Sequence, residues 1–240
     1  MLVIPVYNAA AYLERVIDYW WSISEQPVFL FDPKSSDQTL SILKSHKVAF
    51  RTIETDFNFI EEILYSVLRE LDEEWIIRLD ADELLLPESL FRIRKQIRQV
   101  DSGISMMSIN RHSIMEKEGG FYMADLTSLN SFSCDCDPAW LLPTRHSQAR
   151  VVSIRNCLPF PVLHSPGLVP QEGFSIEPIN SYGFFHLDWV LNDYSSRKLK
   201  FEKYMCLNFE TSVAQRCYYL PEDCNRIQKA KFQSIEIPYF

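Results

Sequence analysis

Three carboxylates interrupt an otherwise apolar run in the first half of the sequence. Residues 75–87 read WIIRLDADELLLP and carry Asp80, Asp82 and Glu83. Apolar runs are usually buried, and a buried carboxylate is costly unless a cation pairs with it. Two carboxylates that follow a strand two residues apart offer oxygen ligands to Mg²⁺ or Mn²⁺, and such an ion could neutralise a diphosphate leaving group. A solvated acidic turn is the alternative explanation.

The segments around these carboxylates alternate between strand and helix patterns. Apolar runs predict strands at residues 1–6, 28–31, 48–53, 75–79 and 104–109, and apolar residues at helical spacing predict helices at 12–21, 39–44, 59–71 and 87–100. This alternation predicts an α/β fold with a parallel sheet. Because Asn8, Asp32 and Asp80 each follow a strand, we expect them to line one crevice at the carboxyl ends of the sheet.

Other polar residues carry structural expectations. Asn8 is predicted to cap the first helix, and Asn58 with Glu61 forms a capping-box pattern before the third. Residues 111–185 are expected to form loops and short strands, and a helix is expected at about 193–215. Arg197, Lys198 and Lys203 are predicted to lie on the solvated face of that helix, and Arg150 and Arg155 are predicted to form internal ion pairs.

Composition excludes some classes of function. The chain has 240 residues and a formal net charge of −8, which disfavours a nucleic-acid-binding protein. Its apolar runs are too short to span a bilayer, so we expect no transmembrane segment and leave peripheral membrane contact open. Met1 leads directly into LVIPVYN without a secretory signal, and we expect a cytoplasmic protein with six reduced cysteines.

Three motifs in order resemble the family 2 glycosyltransferases of the GT-A fold. They are IPVYNAAAYLERVI, FLFDPKSSDQT and WIIRLDADELLLP, which cover about the first 100 residues and are similar to the family's strands ending in P-x-Y-N, in D-D/N-G-S-x-D-x-T and in D-x-D. FFHLDWVLNDYSSRKLKFEKY resembles a later segment in which a histidine precedes a basic helix. The resemblance implies a GT-A-type, Rossmann-like, mostly parallel sheet flanked by helices, with a smaller irregular acceptor-side region and a C-terminal helical segment.

The resemblance also implies an activity and a division of the chain. Residues 1–110 would form the nucleotide-sugar-binding α/β half, and residues 111–240 would form the acceptor-side region and C-terminal helices of the same domain. The enzyme would move a sugar, as a hexosyltransferase, from a UDP- or GDP-sugar to a saccharide or other acceptor hydroxyl, with Mn²⁺ or Mg²⁺. The residues implied to contact the nucleotide are Pro5, Val6, Tyr7, Asp32 and Asp80, and those implied to hold the metal are Asp82, His186 and Asp80.

The catalytic base is not assigned by the resemblance. If the enzyme inverts the anomeric configuration, a carboxylate must deprotonate the acceptor, whereas a retaining enzyme needs no such base. The candidate bases are Asp125, Asp135, Asp137, Glu172 and Glu177. Two other functions stay open: a nucleotidyltransferase, which the glycine-free loop NAAAYLER disfavours, and a catalytically degenerate domain that binds a nucleotide or a partner protein.

Overall fold

The computed structural model describes most of the chain. The described residues are 1–53, 56–125, 147–161, 166–206, 220–223 and 231–237. Two candidate bases, Asp135 and Asp137, lie outside these ranges. Across the described ranges, no helix combines the length and the apolar character that a membrane crossing requires.

The elements alternate through the first half of the chain. The strands are β1 (Leu2–Val6), β2 (Val28–Phe31), β3 (Phe50–Thr52), β4 (Ile76–Arg78), β5 (Glu83–Leu84), β6 (Ile104–Lys117), β7 (Gly120–Asp125), β8 (Ser147–Val152), β9 (Cys157–Pro159), β10 (Leu168–Pro170), β11 (Ser175–His186) and β12 (Lys231–Ile235). The α-helices are α1 (Leu13–Ser22), α2 (Thr39–Ser45), α3 (Leu64–Arg69), α4 (Pro87–Ile97), α5 (Asp188–Leu191) and α6 (Tyr194–Cys206).

The main sheet joins strands from both halves of the sequence. Its order is β12-β7-β6-β8-β4-β1-β2-β3, and β11 pairs with β5 and β6 beside this path. The strands β3, β2, β1 and β4 run parallel, and β8 enters antiparallel between β4 and β6. The α/β class with a parallel, helix-flanked core that the sequence predicts is therefore confirmed.

The first strand shows why its apolar run does not alternate with polar residues. Leu2, Ile4 and Val6 pack into one hydrophobic cluster together with residues of α1, whereas Val3 packs into a second cluster on the opposite face of the sheet. Successive side chains of a strand point to opposite faces, so both faces of β1 are buried and both require apolar residues. Packing on both faces therefore fixes the position of the carboxyl end of β1.

Two predicted helix starts are wrong in detail. The first helix begins at Leu13, and Asn8 does not cap it: Asn8 has φ 47°, and its side-chain oxygen accepts the Ser36 N–H at 2.8 Å. The predicted helix at 59–71 is a 3₁₀ turn followed by the shorter α3, and the Asn58 N–H donates to the Glu62 carboxylate at 2.7 Å instead of pairing with Glu61. Local side-chain to backbone bonds outcompeted the helical cap in both places.

The expectation of loops and short strands over residues 111–185 is confirmed for β7, β8, β9 and β10 and wrong for two long strands. The strand β6 continues to Lys117, and β11 is 12 residues long and pairs parallel with it. The misleading signal is a set of polar residues inside β6, where Asn110, Arg111 and Ser113 are buried. Polar residues inside a buried strand interrupt the apolar pattern by which the strand would be predicted.

Gly183 provides a test of the β6 and β11 pairing. It lies where the register of β11 shifts against β6, and a Cβ there would overlap the His112 ring and come within 3.1 Å of the Asn110 carbonyl. We expect Gly183→Ala to destabilise the fold by about 1–3 kcal/mol, the usual cost of overpacking. Gly103→Ala is the control, since a Cβ at Gly103 meets nothing within 4 Å. Equal unfolding free energies for the two variants in urea would contradict this packing.

Candidate active site

The parallel strands bring the ends of three sequence motifs to one edge of the sheet. The Asp32 N–H donates to the Val6 carbonyl at 3.0 Å, so the residues that follow β1 and β2 are tied together. The Leu79 N–H donates to the Val3 carbonyl at 3.1 Å, which anchors the start of the Asp80 loop against β1. The crevice predicted at the carboxyl ends of the strands is therefore where these loops meet.

Asp80 is held by two arginines. Its Oδ1 accepts from Arg78 at 2.6 Å and its Oδ2 accepts from Arg150 at 2.7 Å. Burial disfavours the charged carboxylate, but Arg150 and Arg78 outweigh that effect and hold the pKa of Asp80 well below its usual range. Since both oxygens already accept from arginines, Asp80 organises the loop, and it presents less free carboxylate to a metal than its neighbour Asp82 does.

Glu83 completes this ion network beneath the loop. Its carboxylate pairs with Arg150 and accepts the Asp80 N–H at 2.9 Å. Burial, followed by the Asp80 and Asp82 charges, raises the pKa of Glu83 to about 7 even though Arg150 opposes the shift. Arg150 thus forms the internal ion pair that the sequence predicts, whereas the predicted internal pair of Arg155 is wrong, since Arg155 meets Asp72 at 2.9 Å with both side chains exposed.

A two-residue strand brings His186 beside Asp82. Glu83 of β5 pairs antiparallel with His186 of β11, and the Leu187 N–H donates to the Asp82 carbonyl at 2.7 Å. The His186 Nε2 atom lies 3.6 Å from Asp82 Oδ2, and both side chains are buried. These residues are 104 positions apart in the sequence, and the β5 and β11 pairing together with the Leu187 hydrogen bond brings them into contact.

Arg111 determines the proton position on His186. Its guanidinium lies 2.9 Å from Nδ1, and because a guanidinium only donates, Nδ1 must accept. Burial, and then the Arg111 charge, lowers the pKa of His186 well below its ordinary value, so the ring is neutral and carries its proton on Nε2, toward Asp82. In this tautomer His186 supports the Asp82 carboxylate as a donor, and ligation of a metal through Nε2 requires loss of that proton.

Asp188 and Lys200 belong to the same cluster, although sequence reasoning missed both. Asp188 is fully buried at the start of α5, and its Oδ1 accepts from Asn192 at 2.8 Å. The Lys200 ammonium lies 3.2 Å from Asp188 Oδ1 and 3.6 Å from Asp82 Oδ2. The sequence signal was present in His186-Leu187-Asp188, where a histidine and a carboxylate stand two residues apart at a strand end.

The start of α1 closes this cluster from the β1 side. Tyr12, which precedes α1, is buried in the core. Burial, and next the charge of Asp82, raises the pKa of the Tyr12 phenol far above its ordinary value. The electrostatic environment of Asp82 is therefore shared by the loop after β1, the loop after β4 and the segment after β11.

The donor set fits a hard divalent cation. Asp82 and Asp188 supply carboxylate oxygens, the type that Mg²⁺ and Mn²⁺ prefer. Within the described ranges, Asp188 Oδ2 is buried without a hydrogen-bond partner, so the cluster retains an unsatisfied acceptor. Within the same ranges, no three His, Cys, Asp or Glu side chains are grouped so that they could hold a metal ion by themselves.

The residues implied to contact the nucleotide lie around the ends of β1 and β2. Pro5 is partly buried and Val6 is buried, whereas Tyr7 is exposed and its ring lies 4.4 Å from the Lys203 ammonium. Asp32 is buried, and its Oδ1 accepts the Lys34 N–H at 2.8 Å.

The expectation that three basic residues of the last helix lie on its solvated face is wrong for Arg197, which is buried and pairs with Glu222. Lys198 and Lys203 are exposed as expected, and Lys203 also contacts the exposed ring of Tyr7.

The described candidate bases are not brought to the carboxylate cluster. Glu177 lies near the start of β11, at the opposite end of the strand from His186, and accepts from Gln96 at 3.3 Å. Glu172 is exposed in the turn before β11, and Asp125 ends β7 opposite Lys231 of β12. The base stays unassigned.

An α/β sheet whose acidic side chains gather at the carboxyl ends of parallel strands is the arrangement of a ligand-binding α/β enzyme. The family model described as Glycosyl transferase family 2 matches residues 1–153. The chain therefore belongs to glycosyl transferase family 2 and is a glycosyltransferase, as its motifs predict.

Comparisons with individual proteins add distant likenesses. The chain is similar to S. aureus TarS 1-349, with 14% identity, coverage of 94% of this chain and 70% of that chain, and a TM-score of 0.49. It is also similar to glucosyl-3-phosphoglycerate synthase from Mycobacterium tuberculosis in complex with Mn²⁺, UDP and glucosyl-3-phosphoglycerate, with 14% identity, coverage of 86% and 76%, and a TM-score of 0.46. No curated protein matches the chain significantly.

Proposed function

We propose that the enzyme transfers a sugar, as a hexosyltransferase, from a UDP- or GDP-sugar to a saccharide or other acceptor hydroxyl and that it depends on Mn²⁺ or Mg²⁺. The observation that carries this proposal is the position of Asp82 at the carboxyl edge of the sheet, near the buried side chains of His186 and Asp188. A divalent ion bound there would neutralise charge on the departing nucleoside diphosphate.

In this proposal, each residue near the ion has a separate role. Asp82 is the main ligand in this proposal, Asp188 is an added carboxylate ligand, and His186 is the ligand that the family resemblance implies. Arg78 and Arg150 fix Asp80, so the loop that carries Asp82 keeps its shape when the donor binds. Preorganised charge of this kind contributes most to catalysis because the site does not need to reorient during the reaction.

A panel of nucleotide sugars tests the proposal. Purified enzyme is incubated with UDP-, GDP- and ADP-sugars, with Mn²⁺ or with EDTA, and the released nucleoside diphosphate is measured. We expect release from one UDP- or GDP-sugar that stops when EDTA removes the metal. Pyrophosphate formed from a nucleoside triphosphate and a sugar phosphate would instead identify a nucleotidyltransferase, and nucleotide binding without turnover would identify a degenerate domain.

The base preference rests on Asp32. Its Oδ1 is already occupied by the Lys34 N–H, so a base N–H would meet Oδ2. Uracil presents N3–H and guanine presents N1–H, whereas adenine has no such ring donor. We expect UDP or GDP to bind at least ~10-fold tighter than ADP, a difference of at least about 1.4 kcal/mol, which is close to the smallest net contribution of a hydrogen bond to a charged group.

Calorimetric titration in Mn²⁺ checks this preference, with Asp32→Asn as the test variant. The variant should lose most of the discrimination between UDP or GDP and ADP. The matched control is Asp18→Asn, which removes the same charge from the exposed face of α1. Discrimination that survives in Asp32→Asn would assign base selection to other residues.

A further inference from the structure

The Lys200 ammonium occupies a distinctive position between Asp82 and Asp188. It lies 3.6 Å from Asp82 Oδ2 and 3.2 Å from Asp188 Oδ1, and those two residues are only 6% and 0% exposed. Two buried carboxylates that approach one another repel, and each is costly to desolvate unless a cation lies between them. In the structure that cation is the side chain of Lys200.

A divalent ion at this cluster would need the same two carboxylate groups. Asp82 Oδ2 and Asp188 Oδ1, which Lys200 contacts, are carboxylate oxygens of the two residues that fit a hard metal ion. An ammonium and a metal ion that share two carboxylates would lie within a few ångströms of each other, and like charges at that separation repel strongly in a buried site. Metal binding and the observed Lys200 position therefore exclude each other.

The structure also indicates where the side chain would go. Lys200 is 36% exposed, so its flexible stem has access to the crevice. Lys203 lies one helical turn further along α6, on the same face, and its ammonium lies over the exposed ring of Tyr7 at the end of β1. This face of α6 thus spans from the carboxylate cluster to the nucleotide side of the crevice.

We propose that the Lys200 ammonium occupies the metal position as a counter-ion in the nucleotide-free enzyme. When the metal binds, the ammonium moves away and pairs with the donor diphosphate. The inference rests on the proposed metal-dependent function and adds a positioning residue to it. A metal alone must displace Lys200 without compensation, whereas a metal that arrives with a nucleoside diphosphate gives the ammonium a new anionic partner. Metal and diphosphate therefore bind cooperatively, and because coupling is reciprocal, each tightens the other.

Titration of Mn²⁺, followed by the electron paramagnetic resonance signal of the free ion, tests this coupling with and without UDP or GDP. Lys200→Met should bind Mn²⁺ at least ~10-fold tighter than wild type without nucleotide, because no ammonium competes. In wild type the nucleotide should increase the Mn²⁺ affinity by a certain factor, and in Lys200→Met that factor should be at least ~10-fold smaller. Lys198→Met is the matched control, since Lys198 is exposed two residues away on the same helix, and it should stay within about 2-fold of wild type.

Thermal unfolding supplies a second measurement on the same variants. Lys200→Met should unfold at a lower temperature than wild type without metal, and Mn²⁺ should raise its melting temperature more than that of wild type. If the methionine variant does not fold, Lys200→Gln replaces it in both measurements. Mn²⁺ affinities of the Lys200 variant that match those of Lys198→Met would overturn the counter-ion role while leaving the metal-dependent function intact. Absence of Mn²⁺ binding in every protein, with nucleotide present, would overturn both.

Discussion

Asp82→Asn is expected to reduce sugar transfer by at least about 10²-fold, the scale associated with loss of one preorganised charge-stabilising group. Asparagine retains the size of the side chain but removes the negative charge that a divalent ion needs. The fold should tolerate the change, because Lys200 keeps Asp188 as its partner. The melting temperature without metal should therefore stay near that of wild type, whereas stabilisation by Mn²⁺ with nucleotide should disappear.

Initial rates with the best donor of the panel, together with unfolding curves, measure these effects. Asp18→Asn serves again as the control for a lost surface charge and should keep full activity. An Asp82→Asn enzyme that turns over at the wild-type rate would show that Asp82 holds no essential metal. A variant that loses activity only because it unfolds would be recognised by its lowered melting temperature.

Arg150→Met is expected to destabilise the protein by about 3–5 kcal/mol, the cost of removing one partner from a buried ion pair. Arg150 is 4% exposed and forms ion pairs with two carboxylates, those of Asp80 and the buried Glu83. Without the guanidinium, Glu83 is left buried with the charges of Asp80 and Asp82 nearby. The loss of stability should come with loss of activity, since the same arginine fixes the loop that carries Asp82.

Arg155→Met gives a matched comparison for this prediction. Arg155 pairs with Asp72 at 2.9 Å, but the two side chains are 66% and 87% exposed, so its loss should cost less than about 1 kcal/mol. Urea unfolding of both variants measures the difference. The double variant Arg150→Met/Glu83→Gln should recover part of the lost stability, because it leaves no unpaired charge on Glu83. Equal unfolding free energies for Arg150→Met and Arg155→Met would contradict the network.

The sequence predicted well those features that depend on local pattern. Short apolar patterns predicted β1, β2 and α1, since each pattern extends over only a few neighbouring residues. Because the strands run parallel, their carboxyl ends then place Asp32 and Asp80 at the same edge of the sheet. The three ordered family motifs pointed to Asp82, and the resemblance of the later segment FFHLDWVLNDYSSRKLKFEKY pointed to His186. The length of β6 was missed because Arg111 and Ser113 are buried polar residues inside a strand.

The rest of the site depends on contacts that no local pattern encodes. Lys200 of α6 lies 3.6 Å from Asp82 Oδ2, although the two residues are 118 positions apart in the sequence. Likewise, the tautomer of His186 depends on Arg111, which lies on a different strand. Charge partners of this kind are set by tertiary packing, so the sequence could indicate that a cation was needed near the carboxylates without showing that the chain supplies one itself.

Anomalous diffraction from a crystal of the enzyme with Mn²⁺ and the nucleoside diphosphate that binds tightest tests most directly whether Asp82 holds a metal ion. We expect one manganese peak within about 2.5 Å of an Asp82 carboxylate oxygen and in contact with the diphosphate, a limit that allows for coordinate error around ordinary metal–ligand distances. If the prediction for His186 is correct, a ring nitrogen of that residue lies within the same distance of the peak. An ordered diphosphate in the crevice without an ion, or a peak several ångströms from Asp82, would show that Asp82 is not a ligand of the catalytic metal.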